Sequence, residues 1–120
     1  MKMNLLKILF VFIPLVIFAQ EEVKKNRYFV ALYTVGESWD TEKQPKEQTY
    51  FKEHSAHLAQ LRAEGIITVG ARYSDTGMIV IKTKDMETAE DILRKDIAVA
   101  NKLFAVEIHP FSPFYKGCLE

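Results

Sequence analysis

This chain has a single cysteine, no clustered glycines and no excess of one charge. The single cysteine, Cys118, lies two residues from the end, so an intrachain disulfide is excluded. The five glycines are scattered and form no phosphate-cradling loop, dinucleotide fingerprint or nucleophile elbow, so we expect no nucleotide or other cofactor. Sixteen basic residues balance sixteen acidic ones, which leaves no positive excess to attract nucleic acid.

The N-terminal segment carries charge only at Lys2 and Lys7, and an apolar run follows from Ile8 to a small residue, Ala19. This order is typical of a cleaved secretory signal. The apolar run is shorter than the roughly 20 residues of a membrane-spanning helix, and Pro14 would break such a helix. We therefore predict a signal peptide at 1–19, a flexible tether at 20–26, and a periplasmic or secreted mature form that does not span the membrane. The alternative, a core helix, would have to bury apolar surface on every side.

The rest of the chain predicts one α+β domain. The patterning gives these elements in order: a strand at 28–35 ended by Gly36, a long loop at 37–46, a helix at 47–64 closed by Gly65, two strands at 66–73 and 78–83 joined by a turn at 74–77, a helix from 86 to about 95 capped by Asp85, a short turn or helix at 96–101, and a last strand at 103–111. The order β-α-β-β-α-β predicts a ferredoxin-like antiparallel sheet with two helices on one face. We place this domain at 27–115 and a C-terminal tail at 116–120.

The strand segments 28–33 and 78–81 are apolar on both faces, although an antiparallel sheet with one wet face should alternate apolar and polar residues. Two helices cover only one side of such a sheet. We therefore expect the other side to pack against the same sheet of a second copy, which gives a homodimer. The alternative is that the C-terminal segment, with Phe111, Phe114 and Tyr115, folds over part of that side.

His54 lies among apolar residues of the first predicted helix. On a helical wheel it falls in the middle of the apolar arc, which is formed by Tyr50, Phe51, Leu58 and Leu61. His57 lies just beyond one edge of this arc. A histidine in the position of His54 either packs as a hydrogen-bonded core residue or presents its ring to a cavity.

Asp96 falls on the inward stripe of the second predicted helix, if that helix reaches so far. A buried carboxylate needs a partner, and helices on one face of a sheet can bring Asp96 to His54. Such a pair is a general acid–base unit, in which the carboxylate accepts one ring N–H and the other ring nitrogen moves a proton. A structural hydrogen bond between the helices explains the same pattern, and the sequence leaves both interpretations open.

Four further residues are candidates for a pocket around this pair. Trp39 lies in the long loop and His57 lies one turn after His54, while Arg72 and Tyr73, at a strand end, can orient an anionic or aromatic ligand. Arg72 equally suits a solvated strand end. The spacing of the two histidines can hold a metal ion, but no cysteine or acidic cluster accompanies them, so we predict no metal site.

Several segments together resemble the YCII-related proteins. They are the run His-Ser-Ala-His-Leu-Ala-Gln-Leu-Arg-Ala-Glu-Gly at 54–65, Val-Gly-Ala at 69–71, Asp-Thr-Gly at 75–77, the acidic-rich helix at 86–93, and Asp96 followed by Val-Glu-Ile-His-Pro-Phe at 106–111. The resemblance implies a ferredoxin-like domain that pairs into a dimeric α+β barrel. It also implies a catalytic dyad of His54 and Asp96 in a cleft, for lyase or isomerase-like proton chemistry on a small cyclic or aromatic compound.

Two positions depart from the pattern of that family. Asp96 is followed by Ile97 where the family usually has proline, and Asn101 stands near the place of a family glycine. The loop that shapes the pocket can therefore differ. We expect an exported YCII-like acid–base enzyme, and the alternative is a non-catalytic dimeric module that binds a ligand or a partner protein, with His54 and Asp96 as a structural pair.

Overall fold

The computed structural model describes residues 26–117, which form a four-stranded antiparallel sheet with helices packed on it. The strands are β1 (Arg27–Val35), β2 (Ile67–Tyr73), β3 (Thr76–Thr83) and β4 (Phe104–Pro110), and the helices are α1 (Phe51–Ala63), α2 (Met86–Arg94) and α3 (Ile97–Ala100). The strand order across the sheet is β2-β3-β1-β4, with β2 and β4 at the edges. The predicted α+β class, with its antiparallel sheet, is confirmed.

The predicted signal peptide at 1–19, nearly all of the tether at 20–26, and Cys118 lie outside the described residues. Within 26–117, no helix combines the length and the hydropathy that crossing a membrane requires.

The start of α1 differs from the sequence prediction. A short 3-10 turn at Pro45–Glu47 comes first, and α1 begins only at Phe51. Between them, Gln48 has an extended backbone with φ −64° and ψ 138°, and Tyr50 has a left-handed one with φ 72°. Neither conformation continues a helix, so the two stay separate. At the other end Gly65, with φ 74°, closes α1 as predicted.

Two other boundaries are set by local hydrogen bonds. The predicted cap Asp85 is confirmed, because its Oδ1 accepts the backbone N–H of Thr88 at 2.8 Å as α2 begins. The turn between β2 and β3 contains only Ser74 and Asp75, since Thr76 already pairs with Tyr73. The predicted four-residue turn at 74–77 is therefore too long.

The face of the sheet that carries the helices holds the hydrophobic core. Phe29, Ala31 and Tyr33 alternate along β1, and the strand pairing places Ile79 and Ile81 beside them. All five are at most 6% exposed. Residues from all three helices pack on this cluster, namely Leu58, Ala89, Leu93 and Val99.

The opposite face, which we call the open face, is also apolar at its centre. By strand alternation it carries Val30, Leu32, Val69, Met78 and Val80. The prediction of apolar residues on both faces is confirmed. In the alternative, three residues fold over this face; Phe114 and Tyr115 are 90% and 88% exposed, so for these two it is wrong, whereas Phe111 is half-buried.

Candidate functional site

His54 lies in the first turn of α1 and its ring is enclosed by other rings. The centroid of the Phe104 ring is 4.5 Å from that of His54, the Tyr33 ring is 5.4 Å away, and the Phe51 ring is 6.5 Å away. Trp39 packs in turn on Phe104 at 5.7 Å. We call Tyr33, Trp39, Phe51 and Phe104 the aromatic cluster. It gathers at the end of the sheet where β1 ends and β4 begins, and there His54 is only 8% exposed.

The inward His54 meets Asp96, as the sequence predicts. His54 Nδ1 lies 2.5 Å from Asp96 Oδ2, and Asp96 is 1% exposed. The reason for the position of Asp96 differs from the prediction, however, because α2 ends at Arg94 and does not carry Asp96 on its inward stripe. Asp96 is the N-cap of α3, and its Oδ1 accepts the backbone N–H of Ala98 at 2.9 Å. One carboxylate oxygen thus starts a helix while the other orients the histidine.

The carboxylate of Asp96 is ionised in this setting. Burial alone would raise the pKa of Asp96, but the hydrogen bond and the charge of His54, with smaller contributions from the Ala98 N–H and His57, outweigh it and lower the pKa. An ionised carboxylate can only accept a hydrogen bond, so the proton lies on His54 Nδ1. In the neutral form of the ring, the lone pair is therefore on Nε2.

The second ring nitrogen of His54 is free to act. Among residues 26–117, Nε2 has no hydrogen-bond partner, whereas Nδ1 is held by Asp96. About a tenth of the His54 side chain is exposed, against none of the Asp96 side chain. A nitrogen with a lone pair, a fixed ring and limited access to solvent is suited to take up and return a proton.

Tyr33 adds a polar group that the sequence pattern does not reveal. It is 6% exposed, and its Oη is the one buried side-chain oxygen or nitrogen in the described part of the chain that has no hydrogen-bond partner. Burial, and then the negative charge of Asp96, raise the pKa of Tyr33 well above its usual range. The hydroxyl therefore stays protonated and can donate one hydrogen bond.

The loop between β1 and α1 is held against the site by Gln48, which sequence reasoning also missed. Gln48 is 5% exposed, and its side-chain oxygen accepts the N–H of Asp40 at 3.0 Å. Its side-chain NH2 donates to the carbonyl of Asp40 at 2.6 Å and to the carbonyl of Lys43 at 3.2 Å. This fixes the segment that carries Trp39 against Phe104. Trp39, the pocket candidate in the long loop, is thereby held next to the aromatic ring that packs on His54.

The other candidates from the sequence lie in different places. His57 Nε2 lies 3.1 Å from the carbonyl of Ile92, so it donates its proton there and ties α1 to α2. Arg72 and Tyr73 are exposed at the end of the edge strand β2. Strand pairing places Arg72 on the face that carries the helices and Tyr73 on the open face, away from His54. In residues 26–117, no three metal-ligating side chains are gathered into a group.

Comparison with known proteins adds no identification. No protein-family model matches the chain, and no curated protein matches it.

Proposed function

We propose that this protein is an exported, YCII-like acid–base enzyme that acts on a small cyclic or aromatic compound at His54. The observation that carries this proposal is the asymmetry of the His54 ring, in which Nδ1 is held 2.5 Å from the buried carboxylate of Asp96 while Nε2 has no partner in the described part of the chain. The rings of the aromatic cluster supply an apolar wall for a flat ligand.

The chemistry follows from the tautomer. Nε2 of the neutral ring accepts a proton from a C–H or O–H bond of the ligand, and the bonding electrons stay on the ligand. The imidazolium that forms is stabilised by the charge of Asp96 next to Nδ1. Return of the proton to a different atom completes an isomerisation, and its delivery to a departing group completes an elimination.

A second function is favoured by one specific observation. Asp96 also caps α3, so its carboxylate links α1 to α3 and has a structural reason to be buried. In that case His54 and Asp96 are a structural pair in a non-catalytic module that binds a ligand or a partner.

His54→Gln separates the two functions, because the amide of glutamine can donate a hydrogen bond to a carboxylate but does not take up or release a proton near neutral pH. A panel of small cyclic and aromatic ketones, acids and alcohols is incubated in heavy water with the wild type and the variant, and exchange of ligand C–H for deuterium is followed by NMR. The enzyme proposal expects exchange that the wild type accelerates about a hundredfold or more over His54→Gln. If the wild type binds compounds without accelerating exchange, and His54→Gln changes only thermal stability, the structural pair is supported instead.

The open face supports the rest of the proposal, a ferredoxin-like domain that pairs into a dimeric α+β barrel. Its apolar centre resembles a surface that a second copy covers. Sedimentation of the chain from residue 20 onward should give a dimer, and Leu32→Glu on the open face should give a monomer. Thr41→Glu, which adds the same charge in an exposed loop, should leave the dimer intact. A monomeric wild type at micromolar concentration contradicts the dimer. Cleavage is tested separately by expressing the full chain, and a purified product that still carries residues 1–19 contradicts it.

A further inference from the structure

Three residues form a row across the sheet beside the site. Arg72 pairs directly with Gly77, and Gly77 pairs directly with Tyr33. Directly opposed residues of neighbouring strands point to the same face, so Arg72 shares the face of Tyr33, which carries the helices. Two strand spacings, about 10 Å in total, separate the backbones of Arg72 and Tyr33.

Gly77 opens the space between them. A Cβ added at Gly77 would lie 3.7 Å from Tyr33 Cβ, and apart from its chain neighbours Thr76 and Met78 no other residue of 26–117 would have a heavy atom within 4 Å of it. The middle of the row is therefore a notch with backbone as its floor. Tyr33 stands on one side of the notch, and Arg72 stands at the edge strand on the other side.

Both side chains of the row are hydrogen-bond donors that lack an acceptor. The buried Tyr33 hydroxyl has no partner in the described part of the chain and stays protonated. Arg72 makes no ion pair with any carboxylate among residues 26–117. A buried unpaired donor costs stability, so its presence beside His54 points to an acceptor that comes with a ligand.

We propose that this row is a subsite for an organic carboxylate that also bears a ketone or hydroxyl oxygen. Arg72 binds the carboxylate through its planar guanidinium, and the Tyr33 hydroxyl donates to the second oxygen. The ring of the ligand lies over Gly77 against the aromatic cluster. This inference rests on the proposed function, because it supplies the recognition half of the site in which His54 moves the proton.

The test uses a keto-cyclohexanecarboxylate as probe, together with its carboxamide, which lacks the charge, and cyclohexanecarboxylate, which lacks the ketone. Trp39 is the single tryptophan of the chain and packs on Phe104, so its fluorescence reports binding at the site. We expect the wild type to bind the keto acid about tenfold more tightly than the carboxamide, and several-fold more tightly than the acid without the ketone.

Variants assign each preference to one residue. Arg72→Gln should abolish the preference for acid over carboxamide and keep the preference for the ketone. Tyr33→Phe should abolish the preference for the ketone and keep the preference for acid over carboxamide. The stability of this variant in urea should equal or exceed that of the wild type, because the hydroxyl that is removed is unpaired. Gly77→Val should weaken all three probes about tenfold or more by filling the notch. Gly70→Val adds the same bulk on the same face, where a Cβ meets only Ile79 and Met78 at 4.0 Å, and should leave the preferences unchanged.

Either of two results overturns the subsite. One is that the wild type fails to saturate with the keto acid or binds acid and carboxamide equally. The other is that Arg72→Gln and Tyr33→Phe leave the preferences as they are. His54→Gln distinguishes this failure from that of the proposed function. If His54→Gln retains the carboxylate preference while the wild type shows no accelerated proton exchange, the acid–base function fails and the subsite stands.

Discussion

Asp96→Asn should switch the tautomer of His54 without dismantling the site. The side-chain oxygen of asparagine can still accept the Ala98 N–H, and asparagine caps helices about as well as aspartate does. The amide NH2 then replaces the oxygen that lies 2.5 Å from His54 Nδ1. An NH2 group donates, so Nδ1 must accept, and the ring proton moves to Nε2.

The cost in stability is limited because both hydrogen bonds of Asp96 keep a counterpart. A neutral bond replaces a charge-assisted one, which lowers the free energy of unfolding by about 1–2 kcal/mol. Asp96→Ala is the matched comparison, since it leaves the Ala98 N–H and His54 Nδ1 without partners in a buried setting. Its expected cost is about 2–6 kcal/mol, because each of the two buried donors left unpaired costs about 1–3 kcal/mol.

Asp96→Asn should reduce the rate of proton exchange more strongly than it reduces the free energy of unfolding. With its proton on Nε2, neutral His54 can no longer accept a proton from a ligand, so exchange should fall by about a hundredfold to ten-thousandfold. Ligand binding through Arg72 and Tyr33 should persist. A loss of turnover with retained fold and binding identifies the tautomer as the cause.

The pH dependence of stability should change as well. The pKa of Asp96 is lowered in the folded protein, so its contribution to stability is fully present above about pH 4, the unfolded value, and is lost as pH falls through the lower folded value. Asp96→Asn lacks this titration. Its free energy of unfolding should therefore fall less steeply than that of the wild type as the solution is acidified below about pH 4.

Two measurements check this prediction. Long-range proton–nitrogen NMR of the imidazole rings assigns the tautomer, and urea unfolding at several pH values gives the stabilities. The reasoning is refuted if Nδ1 of His54 stays protonated in Asp96→Asn, or if Asp96→Asn is as unstable as Asp96→Ala.

Three further substitutions test the frame around the site. Gly36→Ala should destabilise the fold by about 2–3 kcal/mol in urea, because its Cβ would lie 2.1 Å from the carbonyl oxygen of Lys102; an unchanged midpoint would contradict this close approach. Lys102→Gly should stabilise it by about 0.5–1 kcal/mol by relieving a left-handed backbone with φ 60°, and a loss of stability would refute that. Gln48→Ala should cost about 1–3 kcal/mol and shift Trp39 fluorescence to the red, since the loop loses three hydrogen bonds; unchanged fluorescence would show that the loop does not depend on them.

The order of the elements and the burial of His54 could be predicted because they depend on local periodicity. His54 sits within an apolar arc with a period of 3.6 residues, and a helix on a sheet turns such an arc inward. The start of α1 could not be predicted in the same way. Gln48 leaves the helical conformation in a segment whose side-chain bonds run back to Asp40 and Lys43, contacts that no periodic pattern contains.

Asp96 and Tyr33 have features that the periodicity of the sequence does not predict. The wheel of α2 predicted a buried Asp96, but the residue is buried because it caps α3, whose four residues are too few for a periodic signal. Tyr33 lies in a strand whose central residues, 28–33, are all apolar or aromatic, and there an aromatic residue predicts packing and nothing more. Its unpaired hydroxyl becomes visible only when the packing against His54 and Asp96 is known.

The site and the short helix α3 depend on each other through Asp96. A helix of four residues cannot form by itself, since it closes too few hydrogen bonds to repay the fixing of its backbone. Its cap is fixed in turn by the bond to His54, and His54 is fixed by α1 and the aromatic cluster. Docking of α1 on the sheet, folding of α3 and selection of the His54 tautomer are therefore coupled through the carboxylate of Asp96. In the proposed acid–base mechanism, the ring is held in its orientation only when α3 is formed, so one carboxylate would have both a structural and a chemical role.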